Sequence, residues 1–379
     1  MDSGKPVPTL AACSLNDAER LARLRLARSR RVGPMAYRQL IARFGDGAAA
    51  LDALPVLAAR GGARQPLAAY SKASALREMD AIDALGGRLF VLGDADYPRW
   101  LATVEDAPPV FTLLGHAHLL ARPAIAIVGA RNASTNGRRL AESLARGLAA
   151  DGLVVVSGMA RGIDTAAHHG ALEGGTIAVL AGGPDHVYPS ENAGLYKRIA
   201  RVGAVVSEHP PGTQPTARHF PRRNRVISGL ALGVVVVEAA RRSGSLITAR
   251  LAGEQGREVM AVPGSPLDPR AQGTNALIRD GATLVQDVAD VLESVARLLH
   301  ADAGEPDSPP FALAPVCAAE PDDDARARVL ACLSPAPSPI DGIIRDCGLA
   351  TALVMAILLE LELAGRIERS AGGRAALIA

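Results

Sequence analysis

The chain has 379 residues, 49% of them hydrophobic and 21% charged, enough to bury a substantial core divided over two or three domains. A formal net charge of +2 excludes a uniformly basic nucleic-acid binder, so any such site must be a local patch. Cys13, Cys317, Cys332 and Cys347 make no Cys-x-x-Cys pair and no zinc spacing, and no apolar run or leader pattern suggests a membrane span or export, so the expectation is a cytoplasmic protein with reduced thiols, no metal and no membrane contact.

Residues 14–87 read as a small helical domain of the SAM or helix-hairpin-helix kind, with Leu21, Leu24 and Leu26 and then Leu40, Ile41 and Phe44 at helical spacing. Within it, Arg31-Val32-Gly33-Pro34 leads into a helix ending near Phe44-Gly45-Asp46. That suits either a hairpin turn whose amides face a phosphate or a plain capping turn. The turn-rich stretch from Leu89 to Leu120 is expected to add an edge strand or two to the sheet that begins after it.

From Ala124 to Asp287 short β-branched runs alternate with helical stretches, with strands predicted at AIAIVGA, LVVVSG, TIAVLAG, GAVVSEH, GVVVVEA, EVMAVPG and ATLVQD. This is the signature of an α/β, Rossmann-like, doubly wound and mostly parallel sheet, placed over residues 88–300. Residues 301–324, rich in Pro, Asp and Ala, read as a flexible linker. Residues 325–379 read as three helices and a short hairpin, the order of a winged-helix domain.

Ligands of open parallel sheets collect at the carboxyl ends of the strands, where helix N-termini present free amides. The first such turn offers Gly129, Arg131 and an N-cap candidate, Ser134; the second offers Ser157 and Gly158. Neither is G-x-G-x-x-G, and the second strand lacks the acidic residue that holds a nicotinamide ribose, so no cofactor is expected. The most basic cluster is Phe220-Pro221-Arg222-Arg223-Asn224-Arg225. Its three arginines beside one aromatic suit a nucleotide chain better than a small anion, although an arginine there is equally suited to pairing with Glu208 or Glu238. Ser243-Gly244-Ser245 opens a further helix and is a third candidate for phosphate contact or plain capping. Asp164, His168, His169, Glu208 and Glu238 share no spacing that makes a triad or a metal set, so they read as structural and the protein as no enzyme.

These residues sit in VGAR, SGMARGIDTAAH, GGPDHVYPSEN, SEHPPG, FPRRNRVISGL, VVVVEAARRSGSLITA, REVMAVPG and GTNALIRDGA, an order that resembles the DprA/Smf (DNA-processing protein A) family. The similarity extends upstream to DADYPRWLATVEDAPPVFTLLG and, more loosely, to both terminal domains. It implies a protein that binds single-stranded DNA, protects incoming DNA during natural transformation, helps load the RecA recombinase and forms a homodimer through the central domain. By motif it implies a DNA pocket built from Arg131, the Ser157-Gly158 turn and the FPRRNR segment, with Lys197 or Arg198 as the basic residue near Tyr188-Pro189. Gly182-Gly183-Pro184-Asp185 departs from the family's Gly-x-Gly-Leu-Asp pattern.

Two other classes fit less of the sequence. A nucleotide-processing, phosphoribohydrolase-like enzyme shares a loop like SGSLITA but needs a Pro-Gly-Gly-x-Gly-Thr stretch and a catalytic Glu that are missing here. A duplex-reading regulator would use the winged helix, whose TALVMAILLELELAG segment is mostly core-like.

Overall fold

The computed structural model describes residues 14–304, 320–370 and 372–378. The chain folds as two compact units. One holds the described chain up to Arg77, Val91–Ala95 and the winged helix; the other holds Glu78–Phe90 and everything from Asp96 into the last helix before the linker.

The chain begins with four helices: α1 (Asp17–Arg28), α2 (Pro34–Phe44), α3 (Gly47–Arg60) and α4 (Lys72–Ala84). Asn16 and Asp46 cap α1 and α3 by accepting the amides of Glu19 and Ala49 at 2.9 and 2.8 Å, as short polar side chains do at N-caps. Pro34 opens α2 at a position where its missing N–H costs nothing.

The second unit runs β1 (Gly87–Val91), α5 (Arg99–Ala102), β2 (Val110–Gly115), β3 (Ala124–Val128), α6 (Thr135–Ala150), β4 (Val154–Ser157), α7 (Ile163–Ala171), β5 (Thr176–Leu180), α8 (Ala193–Val202), β6 (Ala204–Ser207), α9 (His219–Gly229), β7 (Gly233–Val236), α10 (Gly244–Glu254), β8 (Glu258–Ala261), α11 (Gln272–Arg279), β9 (Thr283–Leu284) and α12 (Val288–Gly304). The strands form one nine-stranded sheet in the order β1-β2-β6-β5-β4-β3-β7-β8-β9. β2 runs antiparallel to β6, and β6 through β9 are parallel. β3, β4, β5, β6 and β7 are buried along their whole length, which is why their sequences are continuous Val/Ile/Ala runs rather than alternating ones. Ile125, Ile127, Val155 and Val235 pack on one face against Leu144 and Leu148 of α6; Ala178, Leu180 and Val205 pack on the other against Leu195 and Ile199 of α8. The strand order reverses between β3 and β7, and that switch point is where an open α/β sheet binds ligands.

The C-terminal part runs α13 (Asp323–Ala331), β10 (Ser338–Pro339), α14 (Ile340–Cys347), α15 (Thr351–Ala364), β11 (Ile367–Ser370) and β12 (Arg374–Leu377), with β10, β12 and β11 in an antiparallel sheet. This is the winged-helix order. Gly348 and Gly365 end α14 and α15 in the left-handed conformation, φ 61° and 73°, which a side chain would strain.

The structure gives different bounds for the last strand and for the helices that flank the linker stretch. The ATLVQD strand shrinks to Thr283–Leu284, both exposed at the sheet edge. Helix α12 runs to Gly304, into the stretch read as linker, and α13 starts at Asp323; residues 305–319 of that stretch lie outside the described residues. The helical and winged-helix segments pack within one compact unit.

Candidate nucleic-acid interface

At the β3/β7 switch point the turns after the two strands border a cavity of about 740 Å³. Gly129, Ala130, Arg131 and Asn132 form one wall; Arg242, Ser243, Gly244 and Ser245 form another; Phe220, Arg223 and Asn224 of α9 form the floor. A second hollow of about 310 Å³ shares Arg131, Asn132, Ala160 and Phe220 with the first and continues to Arg161, Tyr188 and Pro189. Together they make one groove across the carboxyl edge of the sheet.

The groove is cationic and aromatic. The exposed Arg131 guanidinium stands 5.4 Å from the Phe220 ring centre, within cation–π range, and the half-exposed Tyr188 meets Phe220 edge to face at 5.4 Å. Arg242 is exposed on the far wall, and Arg270 at the rim is held by Asp268 at 3.0 Å. Beneath them Arg223 is buried, its Nη1 donating to the carbonyls of Gly158 at 2.6 Å and Val179 at 2.5 Å. Burial pulls its guanidinium down to about 10 while Asp164 opposes the shift, so it keeps its charge at neutral pH.

The helix N-termini around this groove are not equivalent. At α6, Ser134 donates its Oγ to Glu238 at 2.6 Å and its N–H at 2.9 Å, while accepting the Gly137 amide at 2.9 Å. The carboxylate at the end of β7 therefore occupies the anion position of α6. At the β4–α7 turn, buried Asp164 accepts the amides of Gly158 and Ala160 at 3.2 and 3.3 Å; burial raises its carboxyl against the pull of Arg223 and those amides. At α10, Ser243 accepts from Ser245 N–H at 3.4 Å, its Oγ lies 2.7 Å from Ser245 Oγ, and both line the cavity. Gly244 has open space where a Cβ would stand.

The predicted residues therefore separate. Gly129, Arg131, Phe220, Arg223, Asn224, Ser243, Gly244 and Ser245 come together at the large cavity, with Gly158 at its neighbour. Five do not. Ser134 is turned to Glu238. Ser157 is buried, its hydroxyl donating across the sheet to Ile127 O at 2.7 Å. Arg225 projects from α9 into a buried ion pair with Glu208 at 2.5 Å and Asp106 at 3.4 Å, because a helix separates residues two apart onto different faces. Arg222 is exposed on α9 and Lys197 on α8, and neither borders the groove. Sequence reasoning missed Arg242, Arg270 and the role of Tyr188 as an aromatic wall. Arg242, directly before the SGS turn, was findable by taking the residues after β7 in the same way as those after β3.

Comparison with known proteins identifies the family. The family model for DNA recombination-mediator protein A matches residues 88–296, one for the DprA-like N-terminal HHH domain matches 17–81, and one for the DprA winged helix domain matches 314–373. The chain is 44% identical to the DNA processing protein DprA of Bacillus subtilis over 207 residues, covering 54% of this chain and 70% of that protein. It is 41% identical to protein Smf of Escherichia coli over 284 residues, 73% and 74% of the two. The X-ray structure of DprA from Streptococcus pneumoniae superposes with a TM-score of 0.61 at 36% identity, covering 74% of this chain and 98% of that one. A Helicobacter pylori DNA processing protein A, described for its single-stranded DNA binding mode, superposes at 0.51 and 29% identity over 55% and 96% of the chains.

Proposed function

The chain belongs to the DprA/Smf family of DNA recombination-mediator proteins, and from that premise we propose that it binds single-stranded DNA in the groove at the β3/β7 switch point. The observation that carries this is the pairing of exposed Arg131 with Phe220 and Tyr188 along a groove open at the α10 N-terminus. Stacking platforms beside guanidinium groups are what a sequence-tolerant single-strand site requires.

Arg131 and Arg242 hold phosphates, Asn224 and the Ser243–Ser245 turn add neutral donors, and Phe220 and Tyr188 stack bases. Gly129 and Gly158 let the backbone pack where a side chain would collide. A Cβ at Gly129 would stand 2.6 Å from Ile163, and one at Gly158 2.5 Å from Arg223. Arg223 sets the shape and potential of the floor. The carboxylates at the groove are committed: Asp164 to two amides and Asp268 to Arg270. That supports holding a strand rather than breaking a bond.

In the cell the reading is a cytoplasmic homodimer that shields incoming strands during natural transformation and helps place RecA on them. RecA placement is tested by the lag of filament formation on single strands with and without the protein; an unchanged lag rejects that part. Dimerisation is tested by sedimentation.

The site is tested by anisotropy of labelled oligo-dT at two salt concentrations, for wild type and the Arg131→Ala, Arg242→Ala variant. Binding should weaken with salt by a log–log slope of about −0.7 per phosphate engaged. Salt-insensitive binding would point to a small neutral ligand, and no binding by wild type would return the groove to the nucleotide-enzyme class.

A further inference from the structure

Helix α15 follows α14 and its glycine turn as the second helix of a helix-turn-helix does, the position that enters the major groove in duplex readers. Its sequence, TALVMAILLELELA, has no lysine or arginine and two glutamates. Val354, Ile357, Leu358 and Leu361 fill the winged-helix core, yet Leu359, Leu363 and Ala364 are buried too. Their cover is the N-terminal domain of the same unit, α3 above all. The approach is closest at Gly61, where a Cβ would stand 2.0 Å from the carbonyl oxygen of Glu360. A helix apolar on both faces is a packing element.

The C-terminal end of α15 meets the turn at Arg31-Val32-Gly33-Pro34. Arg31, at φ 66°, donates Nη1 to Ala364 O at 2.7 Å and Leu363 O at 3.4 Å. Glu362 reaches within 3.7 Å of where a Cβ on Gly33 would stand, at the N-cap of α2. It is steadied by Arg369 Nε at 2.6 Å, and Arg369 Nη1 in turn donates to Gln39 of α2 at 2.9 Å. A helix C-terminus carries roughly half a negative charge. Its last carbonyls, held by Arg31, thus take the place that a phosphodiester oxygen would take at the turn, while Glu362 is neutralised by Arg369 and ties α15 to α2 through it.

We propose that the winged helix is a built-in stopper for the helix-hairpin-helix turn: the C-terminal end of α15, through the carbonyls that hold Arg31, occupies the place of a nucleic-acid backbone, and the N-terminal domain takes nucleic acid only when α15 lifts away. The stopper depends on the DNA reading only for the class of ligand, since its contacts are separate from the groove.

The test uses the full chain carrying Arg131→Ala to weaken the groove, with Glu362→Gln or Gly61→Leu added, and measures anisotropy of labelled oligo-dT and of a duplex of equal length. Hydrogen exchange over Thr351–Ala364 reports whether α15 has come free. The expected result is faster exchange with affinity up about tenfold for at least one probe, cancelled by adding Arg31→Ala. Faster exchange with unchanged affinity overturns the proposal, and so does unchanged exchange in both variants. Failure of the groove reading would appear separately, as wild type that does not bind oligo-dT.

Discussion

Helices α6 and α7 on one side of the switch point and α10 on the other all aim their N-termini at the carboxyl edge of the sheet, but they are wired differently. At α6 the cap residue Ser134 gives its N–H and hydroxyl to Glu238, and in the turn before α7 Asp164 holds the amides of Gly158 and Ala160, while α10 leaves a serine-lined turn facing the cavity. Amides that already hold a carboxylate have little attraction left for a phosphate. Affinity on that side must come from exposed side chains, above all Arg131.

Helix α9 puts the same contrast within one turn. Arg225 is buried against Glu208 and Asp106, and these carboxylates, with Glu208 first, hold its guanidinium above its usual range against the cost of burial. Arg225→Ala is expected to cost about 3 kcal/mol of folding stability, because two carboxylates lose their cation, measured by the denaturant midpoint. The folded protein should bind oligo-dT as wild type does. A weaker affinity at unchanged stability would move Arg225 into the site.

Arg131→Ala with Arg242→Ala should do the reverse. Both side chains are exposed, so unfolding should be unchanged, while affinity falls about a hundredfold, close to 2.7 kcal/mol, and the salt slope shrinks by about 0.7 per contact removed. Next in size, Phe220→Leu keeps an apolar floor but removes the ring that Arg131 and Tyr188 flank. A loss of about tenfold is expected, within the 1–3 kcal/mol of a stacked base. An equal response of Kd to Tyr188→Leu would show that the two rings act as one platform.

The fold was legible because both-sided burial of a parallel sheet writes itself as apolar runs, from AIAIV to GVVV, each followed by a glycine turn. The site was legible as far as strand ends go, which is how Arg131 and Ser243–Ser245 were found. What the sequence hid was orientation. Arg223 and Arg225 are alike in composition and neighbours in sequence, and only the helical phase of α9, fixed by packing, sends one under the groove and the other into an ion pair. Ser134 looked like a phosphate donor because its true partner, Glu238, lies far along the chain and arrives through the β3–β7 pairing. The union of the two chain ends in one unit left no local signal, since it rests on the packing of α3 against α15.

In the core of the second unit, His168 supplies a pH dependence that leaves the site's cations untouched. Thr176 donates its hydroxyl to Val155 O at 2.8 Å, so His168 Nδ1, 2.8 Å from that hydroxyl, is the donor. Nε2 is buried without a partner among the described residues, and burial pushes the imidazole down to about 3. Above the unfolded value of about 6.5 both states are neutral and the stability is intact. Below it the unfolded chain takes the proton and the folded one does not, so stability should fall with decreasing pH by up to about 1.4 kcal/mol per unit until roughly the folded value. Denaturation at about pH 6 and about pH 4 should show this slope reduced in His168→Asn. Asp164, whose carboxyl is raised by burial, works with the opposite sign, its contribution being present at low pH and lost as pH rises through its folded value.

The smallest effect separates the two kinds of helix start most cleanly. Ser134→Ala removes the hydroxyl that accepts the Gly137 amide and donates to Glu238, an N-cap loss of about 1 kcal/mol. If the α6 start is sealed by Glu238, that loss appears in the denaturant midpoint and oligo-dT affinity does not move. Ser243→Ala at α10 should lose a similar amount of stability and also weaken binding, because its hydroxyl lines the cavity. Should Ser134→Ala lower affinity as Ser243→Ala does, Glu238 must give way to a phosphate when DNA arrives, and the two helix starts would differ only in the unbound protein.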